Sequence, residues 1–217
     1  MLPYALQEPK KRLLLIRHGQ AGDQLVKRYI GQTDTQLTSQ GQMQIQALAQ
    51  ALAPIPLQRL VCSDLTRCVQ TAGMLAEAHG LIPEPRAGLR EICLGAWEGL
   101  PMEQIQKNDP QAFAQRGRDL AGYRPPGGES FFDLLERVHP VFSALITEAT
   151  GPVAIVSHAG VNRVILCHWL GLCVDKVFSL GQDPGCLNIV QPDSQGGIRL
   201  VALNVVVNHN LNQSMFG

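Results

Sequence analysis

Two histidines and two arginines directly follow short apolar runs and together could bind and transfer a phosphoryl group. Arg17 and His18 follow one run, Arg67 follows a second, and His158 follows a third. Arginine offers paired N–H donors to phosphate oxygens, and an imidazole that is neutral at pH 7 can attack phosphorus and form a covalent intermediate. A helix predicted to begin near Gly160 would add backbone N–H groups and the positive end of its dipole. The set predicts a phosphoryl site that works without a metal.

A leaving alkoxide also needs a proton, and Glu91 is the carboxylate that the sequence context favours as its donor. Glu91 lies in a short segment ahead of glycines, from which a side chain can project. Glu98, seven residues further on, is the alternative. A surface glutamate without a catalytic role is the default interpretation of either residue.

A predicted alternation of strands and helices positions these residues. Unbroken apolar runs are typical of strands buried on both faces of a parallel sheet, and they occur at 13–16 and 153–156. A weaker run at 57–62 and two late segments at 187–190 and 198–207 are also predicted to be strands. Apolar residues at helical spacing predict helices that start at Ser39 and cover 66–79, 130–149 and 161–170. The pattern predicts an α/β fold, a three-layer α/β/α sandwich with a mainly parallel central sheet. Ligands of such sheets bind at the carboxyl ends of the strands, where the candidate residues lie.

Two helix starts carry capping sequences, and one segment lacks clear periodicity. Ser39 with Gln42 has the spacing of a capping box, and Ser130 with Asp133 forms a second pair. Residues 101–127 are polar and interrupted by helix breakers. We therefore expect a single domain over 1–217 in which 101–127 forms a cap or lid.

The composition excludes several other functions. Lys+Arg and Asp+Glu both number 18, which argues against nucleic acid or a membrane surface as the main partner. The six cysteines include no CxxC pair, and the six histidines have no zinc-ligand spacing, so neither a metal nor another cofactor is expected. With no signal peptide and no long apolar run, the expected location is the cytoplasm. A small-molecule phosphate ester is the expected partner, and a homodimer is an open alternative to a monomer.

Six collinear segments resemble the motifs of the histidine phosphatase superfamily, the phosphoglycerate-mutase-like proteins. The resemblance covers about residues 12 to 207 and implies a phosphoglycerate-mutase-like fold with phosphohistidine chemistry. The segments are LLLIRHGQ (13–20), GQTDTQLTSQGQ (31–42), CSDLTRCVQTA (62–72), EICLGAWEG (91–99), PGGES (126–130) and IVSHAG (155–160).

The resemblance also implies a role for each matched residue. His18 would be the phosphorylated nucleophile, and Glu91 the proton donor. Arg17, Arg67 and His158 would hold the phosphoryl oxygens. The substrate-binding positions that it implies are Gln24, Gly31, Gln32, Thr33, Ala159 and Gly160.

Departures from the family pattern favour hydrolysis over mutase chemistry. Gln20 replaces the glutamate that many members carry after R-H-G, and Gln24 replaces a mutase asparagine. The segment between Glu91 and His158 is shorter than in mutases, which should open the site to water. The chain is therefore expected to be a metal-independent phosphomonoesterase of the histidine acid phosphatase type. Phosphoglycerate mutase and a non-catalytic phosphoester-binding regulatory protein remain the alternatives.

One segment near the end of the chain suggests a substrate. GQDPGCLNIV, residues 181–190, is similar to the bacterial α-ribazole phosphatases. The resemblance makes α-ribazole phosphate one candidate among small phosphate esters.

Overall fold

The computed structural model describes residues 11–22, 26–193 and 197–207, and its centre is a six-stranded sheet. The strand order is β3-β2-β4-β1-β5-β6. The pairs β3–β2, β2–β4 and β4–β1 are parallel, whereas β1–β5 and β5–β6 are antiparallel. The strands are β1 (Arg12–Arg17), β2 (Arg59–Cys62), β3 (Glu84–Pro85), β4 (Pro152–Ser157), β5 (Leu187–Pro192) and β6 (Ile198–Val205).

Helices cover both faces of this sheet and make three layers, which confirms the predicted architecture. In β1, Leu13 and Leu15 pack against the layer of α5 and α6, whereas Leu14 and Ile16 pack against α1 and α2. Alternate side chains of a strand point to opposite faces, so a strand buried on both sides must be apolar throughout. The helices are α1 (Ser39–Leu52), α2 (Thr66–His79), α3 (Met102–Asn108), α4 (Pro110–Arg118), α5 (Phe131–Glu148) and α6 (Ala159–Trp169).

The helix starts agree with one predicted cap and correct the other. Ser130 caps α5, and its capping box with Asp133 is complete, as the sequence predicts. The cap of α1 is Thr38 rather than Ser39, because the Thr38 hydroxyl accepts a hydrogen bond from the Gly41 N–H at 3.0 Å. Threonine and serine are both good caps, so the spacing alone placed the cap one residue late.

Two further differences concern short elements. Strand β3 was not predicted, because a two-residue strand contains no apolar run. The segment 101–127 contains α3 and α4, and Ile105 packs in a small separate cluster with Tyr29, Leu94 and Trp97. Helix α3 thus packs outside the main core, whereas Ala121 near the end of the segment is part of that core. The function of the segment as a lid stays a prediction. Within the described ranges, no helix has the length and hydropathy that crossing a bilayer requires.

Glycine allows α1 to pack directly on the loop that follows β1. A Cβ atom on Gly41 would overlap the carbonyl oxygen of Gln20, and one on Gly19 would lie 2.6 Å from the Gly41 carbonyl oxygen. Both clashes are with backbone, which cannot rotate away. The N-terminal turn of α1 therefore sets the position of the loop that contains His18.

We expect Gly41→Ala to lower the free energy of unfolding by about 2 kcal/mol, since the added methyl group overpacks this contact. Gly73→Ala is the matched control, because a methyl group on Gly73, within α2, would have no other atom within 4 Å and alanine is the better helix former. Urea denaturation followed by circular dichroism measures both. Equal stabilities of the two variants would contradict the close approach.

Candidate active site

The carboxyl ends of β1 and β4 bring the two candidate histidines together. The backbone N–H of His18 donates to the Ser157 carbonyl at 3.0 Å, and the ring centroids of His18 and His158 lie 5.2 Å apart. His18 is 8% exposed and His158 is fully buried. The structure therefore places both rings in one buried cluster, at the sheet edge where the sequence predicts them.

A backbone contact orients the His18 ring. Its Nδ1 lies 2.7 Å from the carbonyl oxygen of Gly19, which is a hydrogen-bond acceptor only. Nδ1 must therefore carry the proton, and Nε2 is left with a free lone pair. Burial, followed by the positive charges of Arg17 and Arg67, lowers the pKa of His18 well below 6.5. The ring is thus neutral at pH 7.

Arg67 connects the second histidine to the loop at 31–33. Its Nε donates to His158 Nδ1 at 3.3 Å, and its two terminal nitrogens donate to the carbonyls of Thr33 at 2.8 Å and Gly31 at 2.6 Å. Each terminal nitrogen keeps a second N–H for another acceptor. The guanidinium is 2% exposed, so its direction is set before any ligand arrives.

His158 has a protein partner at each ring nitrogen. Since Nδ1 accepts from Arg67, Nε2 carries the proton and donates to Ser63 Oγ at 2.9 Å. Burial, followed by the neighbouring His18 ring and the positive charges of Arg67 and Arg17, lowers the pKa of His158 well below 6.5. In this arrangement the neutral ring orients Arg67, and its direct contact with phosphoryl oxygens stays a prediction.

A buried amide network, which the sequence did not reveal, supports Arg17. The Arg17 guanidinium donates to the backbone carbonyl of Gln182. The Gln182 side chain accepts from Asn162 at 3.0 Å and donates to Asn188 at 2.7 Å, and Asn162 in turn accepts from Ser157 at 2.6 Å. These amides are at most 4% exposed. The segment 181–190, which suggested a substrate, therefore supports Arg17 on the side away from the cleft.

Glu91 lies against the first turn of α6. Its carboxylate accepts hydrogen bonds from the Gly160 N–H and the Ile92 N–H, both at 2.9 Å. A Cβ atom on Gly160 would overlap this carboxylate, so only glycine permits the contact. Glu91 is 9% exposed and close enough to Arg17 to be among its charge partners. The structure thus places the predicted proton donor in the cluster.

Glu98, the alternative proton donor, instead organises the loop at 31–33. Its carboxylate accepts from the backbone N–H groups of Gly31, Gln32 and Thr33, and from the Thr33 hydroxyl at 2.7 Å. Burial alone would raise the pKa of Glu98, but the hydrogen bonds from Gln32, Thr33, Leu94 and Gly31 outweigh it and lower the pKa. Glu98 therefore has a structural role in this loop, whereas Glu91 is the carboxylate that lies close to Arg17 and remains the predicted proton donor.

The structure separates the predicted substrate-binding residues into groups. Thr33 lines the cleft described below. The N–H groups of Gly31 and Gln32 donate to Glu98, and the Gly160 N–H donates to Glu91. Ala159 is partly buried at the start of α6. Substrate contact by these residues stays a prediction, and Gln24 lies outside the described residues.

A cleft of about 540 Å³ opens over His18. Its described lining contains four cationic side chains, Arg17, Lys27, Arg28 and Arg67, and no carboxylate. Among the residues that the structure describes, no three metal-ligating side chains form a cluster. The arrangement can attract a phosphate dianion, surround it with fixed N–H donors and present a neutral imidazole to it.

Comparisons with known proteins give one consistent family. The model of the histidine phosphatase superfamily (branch 1) matches residues 13–206. Glucosyl-3-phosphoglycerate phosphatase of Mycobacterium tuberculosis is 34% identical over 180 residues, which cover 79% of this chain and 80% of that protein.

Solved structures show the same similarity. A mycobacterial glucosyl-3-phosphoglycerate phosphatase in complex with VO3 superposes with a TM-score of 0.81 at 32% identity, covering 90% of this chain and 99% of that one. The α-ribazole phosphatase of Shigella flexneri superposes with a TM-score of 0.83 at 27% identity, covering 89% and 96%. The proteins that this chain resembles are thus named as phosphatases.

The buried cluster predicts that His18 and His158 stay neutral in mild acid. At pH 6 an ordinary histidine is mostly protonated, but the lowered pKa values of these two rings keep both neutral. NMR titration of the imidazole nitrogens, assigned with His18→Gln and His158→Gln, measures this directly.

The same shifts set the sign of the pH dependence of stability. In the unfolded chain, His18 and His158 become protonated near pH 6.5, whereas in the folded protein they stay neutral to lower pH. The free energy of unfolding should therefore fall as the pH drops below 6.5. Each of the two histidines should contribute about 1.4 kcal/mol per pH unit until its own folded pKa is reached. Protonation of either ring at pH 6.5 or above would contradict the assigned environment.

Proposed function

Because the chain belongs to the histidine phosphatase superfamily, we propose that it hydrolyses a small-molecule phosphate monoester through a phosphohistidine on His18. The observation that carries the proposal is the hydrogen bond from His18 Nδ1 to the Gly19 carbonyl, which leaves Nε2 as the nucleophile. Arg17 and Arg67 line the same cleft and would neutralise the phosphoryl oxygens. Both their charge and their fixed orientation favour the transition state over the free ester.

The reaction proceeds in two displacements at phosphorus. His18 Nε2 attacks phosphorus as the ester P–O bond breaks, and Glu91 gives a proton to the departing alkoxide. Water then attacks the phosphohistidine, Glu91 takes a proton from that water, and inorganic phosphate leaves. His158 keeps Arg67 directed at the phosphoryl group through their hydrogen bond. No step needs a metal, since the arginines supply the positive charge.

For the substrate, we propose only a class of compound, a small phosphate ester. The names of the relatives support a phosphorylated metabolite, and α-ribazole phosphate remains a candidate. Within the segment 181–190, Gln182 and Asn188 are buried behind Arg17, and Pro184 lines the cleft. The likeness in this segment therefore reflects support of the phosphoryl site more than selection of an alcohol. The partner stays a small phosphate ester, and the cytoplasmic location and a homodimer stay predictions.

We expect the wild-type protein, quenched during turnover of p-nitrophenyl phosphate, to carry phosphate that is acid-labile and alkali-stable. His18→Ala removes the attacking nitrogen and should abolish both the label and the hydrolysis. His79→Gln is the control, because His79 lies at the far end of α2 from Arg67. Hydrolysis that persists undiminished in His18→Ala would refute the proposal. Transfer of phosphate between positions of phosphoglycerate, faster than phosphate release, would instead favour a mutase.

Gly160→Ala tests the role of Glu91 without altering its chemistry. The added methyl group displaces the carboxylate, so kcat/KM for an alkyl phosphate should fall at least tenfold. The value for p-nitrophenyl phosphate should change less than threefold, since p-nitrophenolate leaves without a proton. Gly73→Ala serves as the glycine-to-alanine control. An equal loss with both esters would show that Glu91 is not the proton donor.

A further inference from the structure

We infer that the cleft selects phosphate esters whose alcohol has an apolar body in contact with Val26, Ile30 and Met102. The inference rests on the proposed function and adds a substrate class to it. It concerns the walls of the cleft beyond Arg17, His18 and Arg67, which hold only the phosphoryl group.

The cleft walls expose three large apolar side chains. Val26 is 42% exposed, Ile30 is 40% exposed and Met102 is 38% exposed. All three line the cleft that also contains His18 and Arg67. An exposed cluster of large apolar side chains around a polar site is typical of a surface that contacts a ligand.

Several polar groups of the same walls already have partners. The Thr33 hydroxyl donates to Glu98 at 2.7 Å, and Arg28 donates to the Gly99 carbonyl at 2.9 Å. A sugar hydroxyl placed against Val26, Ile30 and Met102 would lose water and find no hydrogen-bond partner on those three side chains, which is unfavourable. An apolar ring in the same place loses no hydrogen bond and gains from removal of its surface from water.

Backbone pairing holds this wall in place before substrate binds. The Tyr29 N–H donates to the Leu100 carbonyl at 3.0 Å, and the Met102 N–H donates to the Lys27 carbonyl at 3.0 Å. The Tyr29 ring is buried against Trp97, with the ring centroids 5.1 Å apart. The segment that contains Val26 and Ile30 is thus fixed to the start of α3, which contains Met102. A preformed wall contributes affinity because little ordering is needed on binding.

A matched pair of substrates tests the inference. Cyclohexylmethyl phosphate and glucose 6-phosphate share a six-membered ring and an exocyclic CH₂–O–phosphate, but only the second carries ring hydroxyls. We expect kcat/KM to be at least tenfold higher for cyclohexylmethyl phosphate. A third ester, 3-phosphoglycerate, tests whether Lys27 and Arg28 select a second anion instead.

Single substitutions locate the preference on the wall. Ile30→Asn and Met102→Gln should each lower kcat/KM for cyclohexylmethyl phosphate at least threefold, chiefly through KM, and so reduce its advantage over glucose 6-phosphate. Ile82→Asn is the control, because Ile82 is 87% exposed and is not part of the cleft lining. Circular dichroism and urea denaturation check that each variant is folded.

The outcomes distinguish this inference from the proposed function. A ratio near one, a preference for glucose 6-phosphate or 3-phosphoglycerate, or variants that leave the ratio unchanged would overturn the apolar selection while hydrolysis through His18 stands. Loss of hydrolysis for every ester, with p-nitrophenyl phosphate included, would refute the proposed function itself.

Discussion

The hydrogen bonds of the Arg67 guanidinium are the interaction on which the site depends. A buried cation without acceptors would cost several kcal/mol, and here the acceptors are His158 and the carbonyls of Gly31 and Thr33. These three partners come from the start of α6 and from the loop that precedes α1. One side chain thereby joins α2 to both, and the same contacts that stabilise its charge also aim its remaining N–H groups at a ligand.

Two carboxylates support this arrangement in different ways. Glu98 accepts hydrogen bonds from the N–H groups of the loop at 31–33 and so fixes the loop carbonyls to which Arg67 donates. The Glu91 carboxylate packs against the first turn of α6, where the positive end of the helix dipole favours an acidic group. Gly160 on α6 and Gly41 on α1 permit close approaches that a side chain would block. The positions of both carboxylates are therefore set by backbone N–H groups of the loop at 31–33 and of the start of α6.

The sequence predicted those parts of the fold that depend on residues close together in the chain. The strand at 13–16 and the capping box at Ser130 depend on residues adjacent in the chain, and both were predicted correctly. The Thr38 cap was missed because two neighbouring hydroxyl residues compete for the position, and β3 was missed because two residues carry no periodicity. The role of Gln182 could not be predicted, since its partners Arg17 and Asn162 are distant in sequence and meet only through the sheet order.

The sequence by itself determined which residue types stand at the ends of the buried strands, and hence the chemistry that the fold can perform. Apolar periodicity is a property of neighbours, so it specified a layered α/β fold and placed His18, Arg67 and His158 at one edge. Only the tertiary structure showed the hydrogen bonds that set the histidine tautomers, the different partners of Glu91 and Glu98, and the exposed apolar side chains along the cleft. Those depend on hydrogen bonds and surfaces shared by segments far apart in the chain, for which no local pattern exists.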